Sequence, residues 1–322
     1  MCSSDLPQWL QNGKALELPL RNQLASPLHH HIVKSGPAAD ELSLMAKWAS
    51  CHGLPVAEDP ELVKPVRGVV PDFDLVTIAG WGAPLPANLQ KLSEQDDPET
   101  EAILGAVAEN VAVNVGSWLK QLPADAPRRE ITELAGAWSV KCKERHLMAA
   151  GRHYADLEAD HPVAAGWFRV NPVSYFSLSR ILWEFGNWER PFLLAYLGRY
   201  FKVGVLGEGN GGGWVGYEQQ SAAYARGRVA FNSCAGWEYE GVTHKIFQIA
   251  ASGVAMLHSA QPDAYRMFSD GREIEIYRTP AEAREKLAGL LAGEDRRTAM
   301  AEAALARFRK DHTWAKRLPQ MM

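Results

Sequence analysis

The sequence predicts an α/β protein: a parallel sheet with helices on both faces toward the C-terminus, preceded by a helix-rich region. Three observations predict it. Beyond about residue 200, short apolar runs of strand character alternate with helical segments, the pattern of a parallel sheet crossed by helices. Before that point apolar residues recur mostly at helical spacing. With 322 residues, 47 % of them hydrophobic, the chain has ample material for two cores.

The elements follow in order. Residues 1–6, "MCSSDL", match the in-frame translation of a common sequencing-adapter end; they are read as a non-native scar and set aside. The natural protein is then expected to begin further upstream, which leaves the N-terminal domain incomplete. "DELSLMAKWASCHG" has an acidic start, helical spacing and a terminal glycine, and predicts a helix. "PETEAILGAVAENVAVNVGSWLKQL" predicts a long amphipathic helix opening after Pro98, and "REITELAGAWSVKCKERHLMAAGRHYADLEAD" another. One strand, "FDLVTIAG", interrupts them. "NPVSYFSLSRILWEFGNWERPFLLAYLGRYF" predicts one or two helices around Asn187, with Pro191 in the first turn of the second.

From there the texture changes. "FKVGVLG" predicts a strand, "GEGNGGGWVG" a loop, "YEQQSAAYARG" a helix, "RVAFNSC" a strand and "YEGVTHKIFQIAASG" a helix stopped by glycine. "VAMLHS" and "EIEIYR" are strands around a short helix, "PDAYRMF". In "TPAEAREKLAGLLAG", Thr279 can cap, Pro280 suits the first helical position, Glu282 completes a capping box and Gly293 ends the helix. A last helix runs from about Asp295 to Lys310. The reading divides the chain into a helix-rich N-terminal domain at 7–190 and a sheet domain at 191–322.

Composition narrows the function. With 34 Lys and Arg against 38 Asp and Glu, the net charge of −4 gives no basic footprint, so no nucleic-acid partner is expected. The basic run near the C-terminus reads as a solvated helix face. Four cysteines with no C-x-x-C pair suggest neither a zinc site nor a disulfide framework, and a reducing cytoplasm is expected. No uncharged run reads as a membrane span; Ile246–Pro262 is broken by Gln248, Ser252, Gly253, His258 and Gln261.

Two stretches are candidates for ligand chemistry. Gly207, Gly209 and Gly212 match G-x-G-x-x-G after a strand, but five of the residues Gly207–Gly213 are glycine, so the match is nearly automatic. No helix starts in the loop and the next strand ends in "FNSC" rather than an acid, which argues against NAD. Close backbone approach to a phosphate or sugar is slightly favoured over a plain surface loop. In "EYEGVTHKIFQIAASG", a helix started at Glu240 puts Val242, Ile246, Ile249, Ala250 and Gly253 on one apolar face, and Gly241, His244, Lys245 and Gln248 toward the other. On pattern alone this is an amphipathic helix with a solvated polar face. A ligand reading gives its first-turn amides and Lys245 a phosphate, and Gln248 a ribose hydroxyl.

The ordered set "VAFNSC", "WEYEGVTHKIFQIAASG", "VAMLHS", "FSDGREIEIY" and "DRRTAMAEAALARFRKDHTW" with "RL", over roughly Phe201–Leu318, resembles the C-terminal domain of bacterial-type CgeB-like glycosyltransferases. Their shared core reads E-G-V-x-x-R/K-x-F-E-x-x-A-x-G, closed by an H-T-W/Y-x-x-R element. The resemblance implies a GT-B fold with a Rossmann-like C-terminal domain, and transfer of a sugar from a nucleotide sugar (UDP-, GDP- or dTDP-linked) to the hydroxyl of a glycan, protein or small-molecule acceptor. No metal or other cofactor is required in that scheme. Carried over, it puts Glu240 at the donor sugar as the catalytic candidate, Gly241, Val242 and Lys245 around the donor, and Gln248 where the family has a carboxylate. An amide has one acceptor oxygen where a carboxylate has two, so donor binding, donor choice or activity is in question. Gly207 and Gly209 of the glycine loop, and Asn232 at a strand end beside the presumed cleft, are further candidate contacts read from the residues themselves. A non-catalytic nucleotide-sugar-binding or scaffold protein and a sugar-nucleotide epimerase are the alternatives. The general base is not assigned.

Other polar residues read as structure. His312 and Arg317 fit a packing motif at the terminal helix. Tyr224 reads as packing, and Arg226 as either solvated or reaching phosphate. His258, at a strand's ligand edge, takes a modest expectation of function. Asp72 and Asp74 read as solvated, "PLHHHIVKSG" as a polar loop, and Trp183–Arg190 as hinge packing.

Overall fold

The computed structural model describes residues 30–33, 50–53, 57–79, 85–144, 159–182, 187–207, 213–234 and 241–321. The chain divides into two compact units, each built from separate stretches of sequence. The first takes in residues 104–186 with the N-terminal 55 and a short piece, 235–241. It carries a two-stranded parallel sheet, β1 (His30–Val33) with β2 (Ser50–Gly53). So "HHIV" is a strand rather than a polar loop, and the expected helix through Gly53 ends instead in a strand; its residues 40–49 lie outside the described residues. No strand signal stood out in "SCHG", whose partner lies elsewhere in the chain.

The rest of this unit's described residues are mainly helical: α2 (Thr100–Leu119), whose residues from Leu104 belong to it, α3 (Arg128–Glu144), α4 (Pro162–Val170) and α5 (Pro172–Leu182). Arg128 closes the turn before α3, donating to the carbonyls of Leu119 and Leu122. Glu130 accepts from the Ala164 amide at the start of α4 at 2.8 Å. By length and composition α2 can cross a membrane; it carries Glu101 and Glu109, so a search for uncharged runs passes over it.

The second unit holds a five-stranded parallel sheet in the order β4-β3-β5-β6-β7. These are β3 (Phe73–Ile78), β4 (Val203–Leu206), β5 (Gly227–Asn232), β6 (Met256–Ser259) and β7 (Glu275–Tyr277). The inner strands are buried on both faces and therefore read as unbroken apolar runs, as in "LVTI". The edge strand β4 alternates in burial. Its helices are α1 (Ala87–Ser93), α6 (Glu189–Leu197), α7 (Gln220–Ala225), α8 (Lys245–Ser252), α9 (Pro262–Met267), α10 (Pro280–Ala292), α11 (Glu294–Asp311) and α12 (Trp314–Arg317).

Alternate strand residues face opposite sides. Val76, Ile78, Ala230, Met256 and Ile276 join the core made by α7, α8 and α11. Phe231 and Tyr277 stack 6.0 Å apart on the other side, where α10 packs against β5, β6 and β7. The mixed α/β class with helices on both faces is as expected. The division at residue 190 is corrected: β3, from residues 56–103, is an interior strand, between β4 and β5, of the sheet that the C-terminal strands complete.

Helix signals were mostly local and legible. Thr279 accepts from the Glu282 amide at 3.2 Å and Pro280 occupies the first turn of α10. The Glu282 carboxylate takes the Arg278 amide rather than that of Thr279, so the box closes one residue early. Gly253 ends α8 in the left-handed region, φ 69°.

Candidate functional site

Numbered within the unit, the strand order is 2-1-3-4-5, and the direction of winding reverses between β3 and β5. The crevice at the carboxyl ends of those strands is where open α/β sheets bind ligands. Ile78 and Ala79 end one side; Asn232, Ser233 and Cys234 end the other. Gly207 follows β4 at the same edge. Its φ is +130°, and a Cβ there would sit 2.7 Å from the Ala79 carbonyl oxygen, so only glycine lets the two chain ends approach.

Lys245 reaches this edge. It is the first residue of α8, and its Nζ donates to the Ile78 carbonyl at 2.6 Å. The expected helix start at Glu240 is corrected to Lys245. Gly241 and the β-branched Val242 and Thr243 disfavour helix, and Val242 and Thr243 are buried in irregular chain. Gly241 and Val242 therefore supply no helix-start amides. Glu240 and Gly209 lie outside the described residues.

Asn232 and His258, expected at the ligand edge, face each other. The Asn232 amide donates to His258 Nε2 at 3.0 Å and reaches Thr243 Oγ1 at 3.4 Å, and all three residues are buried. Since Nδ2 only donates, His258 Nε2 accepts, and Nδ1–H donates to the Ser259 carbonyl at 2.6 Å. Burial lowers the His258 pKa to about 4, which keeps this neutral tautomer.

Gln248 is the larger surprise. It is expected on a solvated face, yet it is 0 % exposed, because α7 and α11 cover the side of α8 turned away from the sheet. Among the described residues, neither its Nε2 nor its Oε1 has a hydrogen-bond partner. The neighbouring carboxyl belongs to Glu58, also buried, whose Oε1 accepts from the Asp59 amide at 3.2 Å while Oε2 has no partner among the described residues. Burial raises the Glu58 pKa to about 7; Gln248 lies close enough to temper that rise, although no bond of hydrogen-bond geometry joins them. A carboxyl group thus stands beside position 248, from a part of the chain the sequence pattern does not connect to it.

The remaining candidates lie elsewhere. Arg226 pairs with Asp72 at 2.8 Å and covers the Phe73 ring, at the amino edge of the sheet, which removes its phosphate role. Asp74 accepts from the Lys202 amide and Arg228, so neither aspartate is merely solvated. Tyr224 is buried core, as expected. His312 is a packing residue, as expected: its ring lies 5.0 and 5.1 Å from those of Phe247 and Phe268. Arg317 donates to its Nδ1, which leaves Nε2–H for the Met267 carbonyl. The adjoining Thr313 forms a parallel bridge with Glu58.

Sequence reasoning missed Arg190. Read as hinge packing, it is the second residue of α6, and its guanidinium donates through Nε to Ser233 Oγ (3.1 Å) and through Nη2 to the Ser233 carbonyl (2.6 Å). Its neighbour Glu189 is buried, accepts from Tyr277 Oη at 2.6 Å, and has its pKa pushed up by burial to about 7. Among the described residues, no group of three His, Cys, Asp or Glu side chains is placed to hold a metal.

Comparison with known proteins gives residues 189–322 a match to the family model described as glycosyl transferase-like. No curated protein matches the chain. Among solved structures, the sucrose-phosphate synthase of Thermosynechococcus elongatus aligns at 11 % identity and a TM-score of 0.42, over 91 % of this chain and 56 % of that one. The chain therefore spans little more than half the length of that relative.

Proposed function

We propose that this protein is a GT-B-type glycosyltransferase of CgeB-like kind, acting in the cytoplasm without a membrane span, metal or other cofactor. It would transfer a sugar from a UDP-, GDP- or dTDP-linked donor to an acceptor hydroxyl on a glycan, protein or small molecule. The match of residues 189–322 to the glycosyl transferase-like model carries this reading. The placement of Lys245 at the carboxyl edge of the sheet, where open α/β sheets bind ligands, supports it. In the reaction an acceptor oxygen bonds to the anomeric carbon as the bond from that carbon to the diphosphate oxygen breaks. The electron pair leaves with the diphosphate and the acceptor proton passes to a base. Lys245 stabilises the leaving charge, Gly207 borders the donor at the same edge, and Glu240 is the candidate contact to its sugar. Gln248, buried beneath α7 and α11, and the buried Glu58 beside it act on the donor only through the position of α8.

A second reading is favoured by one observation: Gln248 is an amide where the resemblance implies a carboxylate. In that reading the protein binds a nucleotide sugar without turnover. An epimerase is the third outcome of the same experiment. Calorimetric titration with UDP-, GDP- and dTDP-sugars, run beside a donor-consumption assay, separates them. Binding with acceptor-dependent release of nucleoside diphosphate supports transfer. Binding with no turnover under any acceptor supports the second reading, and an altered sugar without acceptor the third. No binding of any donor removes all three.

A further inference from the structure

We infer that Arg190 is a donor-binding residue: with Lys245 it grips the diphosphate at the carboxyl edge of the sheet. The inference rests on the nucleotide-sugar reading and adds a residue that neither the sequence pattern nor the family core singles out.

The first support is placement. Lys245 is tied to Ile78 at the end of β3, and Arg190 to Ser233 just past the end of β5. The pairs Leu75 with Val229 and Val76 with Ala230 extend to set Ile78 beside Asn232. The two anchor points therefore lie on adjacent strands, roughly 5 Å apart across the sheet, on either side of the switch point. Two phosphate groups bridged by one oxygen span such a gap.

The second support is charge. A guanidinium stays protonated at any physiological pH. Here it is partly exposed, and burial of the rest already lowers its pKa. Yet no described carboxylate pairs with it. The adjacent Glu189 is turned to Tyr277 and makes no ion pair with the guanidinium, although its charge acts on it. A buried cation without a hydrogen-bonded carboxylate partner is costly, a cost that a bound anion would offset. Ser233 takes Nε and Nη2, which fixes the plane of the fork, and Nη1 has no partner among the described residues. A guanidinium so oriented presents its remaining N–H groups to an oxygen anion.

The alternative is a staple that only ties α6 to the end of β5. The test is R190Q, which keeps amide donors near Ser233 but removes the charge, and R190K, which keeps the charge but loses the fork. Titrations use inorganic pyrophosphate and UDP, GDP and dTDP at two salt concentrations, beside thermal melts. The expected result is at least a tenfold loss of pyrophosphate and diphosphate affinity in R190Q, with a weaker salt dependence, and a smaller loss in R190K. Affinities within twofold of the parent in R190Q overturn the inference while leaving the donor reading intact. If R190Q does not melt cooperatively, R190K is judged alone: an affinity within twofold of the parent overturns the inference. A parent protein that binds none of these ligands overturns the donor reading and this inference together.

Discussion

Lys245 Nζ and the Ile78 carbonyl oxygen meet at 2.6 Å although 167 positions separate the residues. The bond holds a cation at the end of an interior strand and joins α8 to β3. Lys245→Met removes both the charge and the bond. Nucleoside diphosphate affinity should fall by about 1.5–3 kcal/mol, ten- to a hundredfold, the usual worth of a hydrogen bond to a charged group. Nucleoside affinity should change little. Equal losses for both ligands, measured by calorimetry, would mean that the lysine serves only to hold β3.

The pH dependence of stability follows from four buried groups of opposite sign. Glu58 and Glu189 have folded pKa values raised by burial to about 7 from 4.5. Their contribution is fully present below pH 4.5 and is lost as pH rises through 7. His258 and His312 have values lowered by burial to about 4 from 6.5. Theirs is present above pH 6.5 and lost as pH falls through 4. Between these limits each group contributes a slope of up to roughly 1.4 kcal/mol per pH unit, two upward and two downward. Urea midpoints of the parent should therefore be nearly level from about pH 4.5 to 6.5 and decline just above. The E58Q/E189Q double variant should instead become more stable with pH over that interval. A double variant as level as the parent would remove the carboxyls from this account.

His312 is a packing residue, so its loss should show in stability and not in binding. His312→Ala should cost about 2–4 kcal/mol, in the range of other large buried truncations. It opens a gap between Phe247 and Phe268 and removes one of the two donors to the Met267 carbonyl, leaving Arg307 Nε. Diphosphate affinity of the folded fraction should stay within twofold. A large affinity loss with an unchanged melting temperature would place His312 at the ligand instead.

Gly207→Ala should destabilise by about 1–3 kcal/mol, the cost of a residue forced into a disfavoured backbone region. The introduced methyl would also collide with the Ala79 carbonyl. Gly213→Ala is the control: its φ of +67° is also unfavourable, but a Cβ there meets nothing within 4 Å. Melting temperatures that fall equally for both would show that the close approach to Ala79 does not matter.

What was legible in the sequence had local causes. Strands buried on both faces read as apolar runs, Thr279 and Gly253 mark helix ends through their own backbone preferences, and the E-G-V core pointed to α8. What was not legible depends on partners distant in the chain. Gln248 looked exposed because helical spacing sets it on one face with His244 and Lys245; its burial comes from α7 and α11, which no local window contains. Glu58 meets Gln248 only because residues near Thr313 pair with its backbone. Arg190 sat in an aromatic, charged stretch that reads as a junction, and only the end of β5 reveals what it holds.

The interior position of β3 bears on how the chain folds. Its pairing with β4 joins residues some 128 positions apart, as the Lys202 amide and the Asp74 carboxylate show. During synthesis β3 emerges long before either neighbour, with Leu75, Val76 and Ile78 still uncovered. Closing so long a loop before any contact rewards it makes for slow, aggregation-exposed folding. The same feature decides where the protein can be cut. A fragment limited to residues 189–322 would hold β4 and β5 with the strand between them missing. The stretch that resembles known transferases is thus not an excisable module: its sheet is finished by a strand encoded more than a hundred residues upstream.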